Sequence, residues 1–163
     1  MSTTDRIEKK VLLKATRQRV WDALTDSRQF GSWFGVRLEG PFVAGEVARG
    51  KIFPTTVDPE VAKLQEPHAG AAFQITVEAI EPQRLFSFRW HPFAIDGKKD
   101  YSAEPTTLVT FTLDEQPGGI LLTLTETGFD RVPLERRAQA FAANEGGWAH
   151  QMQLITKYVA RAS

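Results

Sequence analysis

The sequence predicts an α+β domain in which a curved antiparallel sheet covers one long C-terminal helix. Three observations carry the prediction. Leu134, Ala138, Phe141, Glu145, Trp148, Met152, Ile155 and Val159 recur at alternating steps of four and three, which places them on one face of a helix about seven turns long. Upstream, residues alternate apolar and polar in short runs, the period of half-buried strands. The runs are separated by turn residues rather than helices, so neighbouring strands form an antiparallel meander. A sheet with one apolar face and a helix with one apolar stripe cover each other.

The elements follow in order. Residues 6–15 read as a strand with Ile7, Val11 and Leu13 on one face. Thr16 is placed to cap a short helix over 17–25, where Val20, Trp21 and Leu24 fall at helical spacing. Asp26 or Ser27 then caps a second short helix carrying Phe30, Trp33 and Phe34. A strand or hairpin follows over 36–54, turning near Gly40-Pro41 and Ala44-Gly45. Residues 54–71, with several prolines and little periodicity, read as a long loop. Phe73, Ile75, Val77 and Ala79 alternate; Glu81-Pro82-Gln83 turns; Phe86, Phe88 and Trp90 alternate after it, an aromatic-faced hairpin. Residues 92–105 read as a second long loop. Val109, Phe111 and Leu113 form the next strand, and Ile120, Leu122 and Leu124 the last. Pro133 opens the long helix, where a missing N–H costs nothing. No internal repeat or linker divides the chain, so 1–163 is expected to be one domain.

Bulk properties narrow the function. Twenty basic and twenty acidic side chains cancel, which removes the electrostatic drive toward nucleic acid. There is no cysteine, so disulfides, thiolate metal sites and a cysteine nucleophile are excluded. No apolar run approaches the ~20 residues of a membrane span, and Met1–Asp5 leads into no apolar signal core. A cytoplasmic protein is the expectation. His68, His91 and His150 lie far apart without ligand spacing, so no metal is expected. No phosphate-binding glycine loop or serine elbow is present, and no cofactor is called for.

Glu145 interrupts the helical stripe beside Trp148. A carboxylate in that seam is either paired internally or aimed into a wet pocket as the anchor for a ligand's donor group. Glu126 continues the parity of Ile120, Leu122 and Leu124; it either points inward or ends the strand in solvent. Trp33, Phe34, Phe73, Phe88, Trp90, Phe111, Phe141, Trp148 and Met152 are the apolar candidates for a cavity between sheet and helix, against the alternative of plain core packing. A void of about 300 Å³ is the size expected of such a cavity, opening near the two long loops.

Several local patterns recur in a familiar order: Trp33-Phe34-Gly35; Val77-Glu78 through Glu81-Pro82, Arg84-Leu85, Phe88 and Trp90; Thr125-Glu126-Thr127-Gly128-Phe129; and Gly146-Gly147-Trp148. Over roughly 6–160 the chain resembles the bacterial branch of the family named after the activator of the heat-shock protein 90 ATPase, within the START-like (SRPBCC) superfamily. The resemblance implies the helix-grip fold: about six or seven antiparallel strands around a long C-terminal helix, with two short helices after the first strand. It implies an apolar cavity and a small hydrophobic or amphipathic ligand. Relatives that cyclise polyketides make a cyclase- or hydrolase-like enzyme the alternative, with Glu145 or Glu126 as acid or base. A chaperone-associated, partner-binding protein is the second alternative. An exposed edge strand leaves a homodimer open.

Overall fold

The computed structural model describes residues 6–91 and 104–160. Its strands are β1 (Arg6–Leu13), β2 (Val36–Leu38), β3 (Val47–Ile52), β4 (Ala72–Glu81), β5 (Leu85–Trp90), β6 (Thr107–Gln116) and β7 (Gly119–Thr127). They form one antiparallel sheet in the order β1-β7-β6-β5-β4-β3-β2. A register shift between Val77 and Ala79 bends β4 against β5. The helices are α1 (Arg17–Thr25), α2 (Ser27–Phe34), α3 (Pro59–Gln65) and α4 (Leu134–Ala160). This is the helix-grip arrangement: a seven-stranded sheet closed around a 27-residue C-terminal helix. Most of residues 92–105, the second expected loop, lies outside the described residues.

The short helices begin and end where their chemistry dictates. Thr16 Oγ1 accepts from Arg19 N at 3.1 Å and starts α1. Asp26 accepts from Arg28 N and Gln29 N and starts α2, satisfying donors the helix itself leaves unpaired. Gly35 ends α2 at φ 100°, a left-handed conformation that a side chain would disfavour. Trp33 Nε1 donates to Ala23 O at 2.7 Å and locks α2 against α1.

The 54–71 segment is a correction: it holds α3 and a following 3₁₀ turn, Glu66–His68. None of its helical residues is buried, so it carries no apolar stripe for periodicity to detect. Its signal was local, Asp58 capping from the N-terminus with Pro59 in the first turn. Asp58 also pairs with Lys157 of α4 at 2.5 Å, and this hydrogen bond holds its carboxyl below the ordinary value. A lowered carboxyl contributes stability above its unfolded-state pKa and loses it as pH falls through the folded value.

The predicted stripe on α4 holds only in its later turns. Trp148, Met152, Ile155 and Val159 are buried, but Leu134 is 76 % exposed, and Ala138 and Glu145 are also exposed. Packing against β1, α1 and α2 explains the difference, because it covers the later turns. Asn144 and Gln151 are half-buried and Ala140 fully so. The covered arc therefore runs from Met152 through Trp148 toward Asn144 and Gln151. Glu145 falls about 60° from Trp148 in the opposite sense from Asn144.

Ile155→Asp is expected to abolish cooperative unfolding, since it buries an unpaired charge at several kcal/mol. Leu134→Asp is expected to shift stability by less than about 0.5 kcal/mol. Thermal melts followed by circular dichroism separate the two outcomes, and a melt unchanged by Ile155→Asp would remove α4 from the core.

Candidate functional site

β5, β6 and β7 bring three polar-tipped side chains to the inner face of the sheet. Trp90 and Thr107 are directly opposite in the β5–β6 pair, and Glu126 faces Val109 across β6–β7. On β7, Ile120, Leu122, Leu124 and Glu126 share the inward face. The apolar run thus ends in a carboxylate that is fully buried. From α4, Asn144 and Trp148 stand one turn apart above it.

These groups converge on Glu126. Its Oε1 accepts from Trp148 Nε1 at 2.8 Å and Asn144 Nδ2 at 3.0 Å. Its Oε2 accepts from Trp90 Nε1 at 2.8 Å, Thr107 Oγ1 at 2.5 Å and Asn144 Nδ2 at 3.0 Å. Every partner is a donor, and both oxygens are engaged. A carboxylate is the one small side chain that accepts on both ends, so the site stitches three strands to the helix. Asn144 is oriented by the same logic: its amide nitrogen must face the carboxylate.

The anchored indoles build a wall. Trp90 and Trp148 stack at 5.6 Å with 30° between planes. Phe34 packs against both, at 6.2 and 5.9 Å. Beside them lies a cleft of about 100 Å³ lined by Phe34, Trp90, Ala143, Asn144, Gly147, Trp148 and Gln151. Gln151 Nε2 donates to Phe34 O at 3.0 Å. That bond fixes the amide and leaves Oε1 buried without a hydrogen-bond partner among the described residues.

The structure sorts the predicted site residues into groups. Phe34, Trp90 and Trp148 line the cleft. Phe73 packs behind it on Phe34 and Trp90. Trp33, Phe88 and Phe111 are buried in the core, with Phe111 edge-on to Trp148 at 5.8 Å. Phe141 is half-buried against Phe129. Met152 lies on the opposite flank of α4, in a groove beside β1. Glu145 is corrected: it is exposed, and the carboxylate in the seam is Glu126. Trp90, Phe88, Phe111 and Trp148, around which a void of about 300 Å³ is expected, pack ring against ring.

Asn144, Gln151 and Thr107 were missed. Asn144, Trp148 and Gln151 follow steps of four and three, a helical stripe as regular as the one through Glu145. Stepping from Phe141 by three rather than four reaches Asn144, and only the sheet's position decides between the two. Among the described residues, no group of three histidines and carboxylates is placed to hold a metal ion. No described helix is long and apolar enough to cross a membrane.

Sequence comparison matches residues 14–160 to the family described as Activator of Hsp90 ATPase homolog 1-like protein. The chain belongs to that family. Its fold places it in the START-like superfamily. Solved relatives share the architecture over nearly the whole chain. DynU16, described as a putative protein in the dynemicin biosynthetic locus, is 25% identical with a TM-score of 0.65; the match covers 94% of this chain and 46% of DynU16. This chain therefore spans under half of that protein's length. A protein from Bordetella parapertussis is 23% identical with a TM-score of 0.63, covering 97% of this chain and 76% of its own. One from Arthrobacter aurescens is 18% identical with a TM-score of 0.72, covering 98% and 88%. No curated protein matches the chain in sequence.

Glu126→Gln places an amide NH₂ where a carboxylate oxygen accepts, facing indole N–H groups that can only donate. It is expected to cost about 3 kcal/mol, a fall in Tm of roughly 6–12 °C for a chain of this size. Glu145→Gln is expected to stay within about 0.5 kcal/mol of wild type. Equal melts for the two variants would show that the Glu126 network does not tie the sheet to the helix.

Proposed function

We propose that this family member binds a small amphipathic molecule at the α4 cleft. The ligand's apolar, ring-sized end sits beside Trp148, and its N–H or O–H donates to Gln151 Oε1. The observation that carries this is an aromatic-walled cleft lined by Gln151, whose buried Oε1 has no hydrogen-bond partner among the described residues. An unpaired buried acceptor costs about 1–3 kcal/mol, and a ligand donor recovers that cost on binding. The cleft's size supports a modest ligand. An apolar cavity of about 150 Å³ takes benzene, so about 100 Å³ accepts one ring partway, with the rest of the molecule outside.

Gly146 and Gly147 fit the same reading. Mid-helix glycine costs about 1 kcal/mol relative to alanine, yet among the described residues a Cβ at either position meets nothing within 4 Å. No described residue packs so close as to require them, and Gly147 borders the cleft. A side chain there would project over its mouth.

The acid–base alternative finds less support. Glu126 is saturated by donors from Trp90, Thr107, Asn144 and Trp148, none of which titrates as an acid–base partner near neutral pH. Glu145 stands in solvent. The partner-binding reading rests on the family description alone. A cytoplasmic setting is proposed from the lack of cysteine.

Gly147→Ala is expected to raise stability by about 0.5–1 kcal/mol. Gly147→Leu is expected to keep the fold and block the cleft. Phenol and toluene, alike in shape, test the donor: phenol should perturb the Trp90 and Trp148 indole resonances at tenfold lower concentration than toluene, and Gly147→Leu should remove the response. Equal titration by both compounds, or a response that survives Gly147→Leu, would refute the reading.

A further inference from the structure

β1 is an outer strand of the sheet, and its inward face runs Ile7, Lys9, Val11, Leu13. Ile7 and Leu13 are buried in the core. Lys9 and Val11 are half-buried, because between this part of β1 and α4 lies an open groove of about 490 Å³. Its walls are Val11, Ala149, Met152 and Thr156, with Lys9, Lys10 and Lys157 supplying the charge. The volume is that of an ordinary small-molecule site.

The groove is distinct from the cleft. Counting about 100° per residue from Trp148, Asn144, Gly147 and Gln151 turn to one side of α4, while Ala149, Met152 and Thr156 turn to the other. The buried ridge of Trp148 and Ile155 separates them.

Among the described residues no aspartate or glutamate lines the groove, so its charge there is one-signed. Lys157 is committed to Asp58. Lys10 is exposed and has the opposite strand parity. Lys9 points inward beside apolar walls and has no ion-pair or hydrogen-bond partner among the described residues. Its half-buried stem lies along the apolar walls, which leaves the ammonium at the groove to pair with one negative charge. The walls ask for hydrocarbon, and the ammonium asks for an anion at one end.

We infer that the β1–α4 groove binds an amphiphile with a single carboxylate head. Its carboxylate pairs with Lys9 Nζ, and its alkyl body lies along Val11, Ala149 and Met152. The competing role for Lys9 is as an inward-facing charge that keeps an edge strand from pairing with a second copy.

Calorimetry with dodecanoate, below its micelle concentration, tests the inference against 1-dodecanol as the neutral analogue. Dodecanoate is expected to bind one per chain. Lys9→Met keeps the apolar stem and should weaken dodecanoate at least tenfold while leaving 1-dodecanol unchanged. Ala149→Trp fills the groove from an exposed helix position and should abolish both. Phenol titration of the cleft should be unaffected by either variant, so failure of one site does not imply failure of the other. Lys9→Gln repeats the test should Lys9→Met not melt cooperatively. Unchanged dodecanoate affinity in the lysine variants, or binding that survives Ala149→Trp, would overturn the inference. So would conversion of Lys9→Met to a dimer with no loss of dodecanoate affinity, which would assign Lys9 to guarding the edge.

Discussion

The carboxylate of Glu126 sets how the helix sits on the sheet. Burial of apolar surface pulls α4 inward but has no preferred direction, and a helix with leucine, isoleucine and methionine on its inner face can roll or slide at small cost. Hydrogen bonds cannot be moved in that way. Two indole N–H groups, a threonine hydroxyl and an asparagine amide all end on one pair of oxygens. The bonds from Asn144 and Trp148 require those residues, one turn apart, to face β7. The bonds from Trp90 and Thr107 hold β5 and β6 in register beneath them. Satisfied buried networks of this kind specify one arrangement out of several that apolar packing alone would permit.

The same network sets how the rings pack in the middle of the interface. Once Trp148 is held over Trp90, the space between sheet and helix is occupied by rings: Phe34 and Phe111 pack on Trp148, and Phe88 on Trp90. Beside α4, open volume lies on both flanks. The cleft lies where small residues, Ala143 and Gly147, leave room beside the aromatic wall. The groove lies where the inward face of β1 carries a lysine between Ile7 and Val11. Both flanks combine apolar walls with a polar group that lacks a partner among the described residues, an acceptor on one side and a cation on the other.

The elements were legible wherever a period of two or of 3.6 is enforced by burial. Val109, Phe111 and Leu113 alternate because one face of β6 is in the core. Thr16 and Asp26 announced α1 and α2 because capping is a local bond. α3 was hidden because nothing on it is buried. The site was half legible. Phe34, Trp90 and Trp148 stood out as aromatics on inward faces, and the parity of β7 pointed to Glu126. The choice between Glu126 and Glu145 was not readable, since both continue an apolar pattern. What separates them is three-dimensional: β7 is a central strand covered along its length, whereas α4 is round and is covered over only part of its circumference.

The order β1-β7-β6-β5-β4-β3-β2 has a kinetic consequence. β2 through β7 each find a partner next in sequence, but β1 pairs only with β7, from Arg6 with Thr127 to Leu13 with Ile120. Of the seven described strands, the first to be synthesised must wait for the last. Closing a loop of more than a hundred residues costs on the order of 4 kcal/mol in chain entropy, and contacts this distant in sequence slow folding. Until β7 and α4 are made, β1 is an unpaired amphipathic segment, and the nascent meander has an open edge where it belongs. Glu126 lies opposite Ile7 in that final pairing. The carboxylate that orients the helix is therefore enclosed by the same late step that completes the sheet.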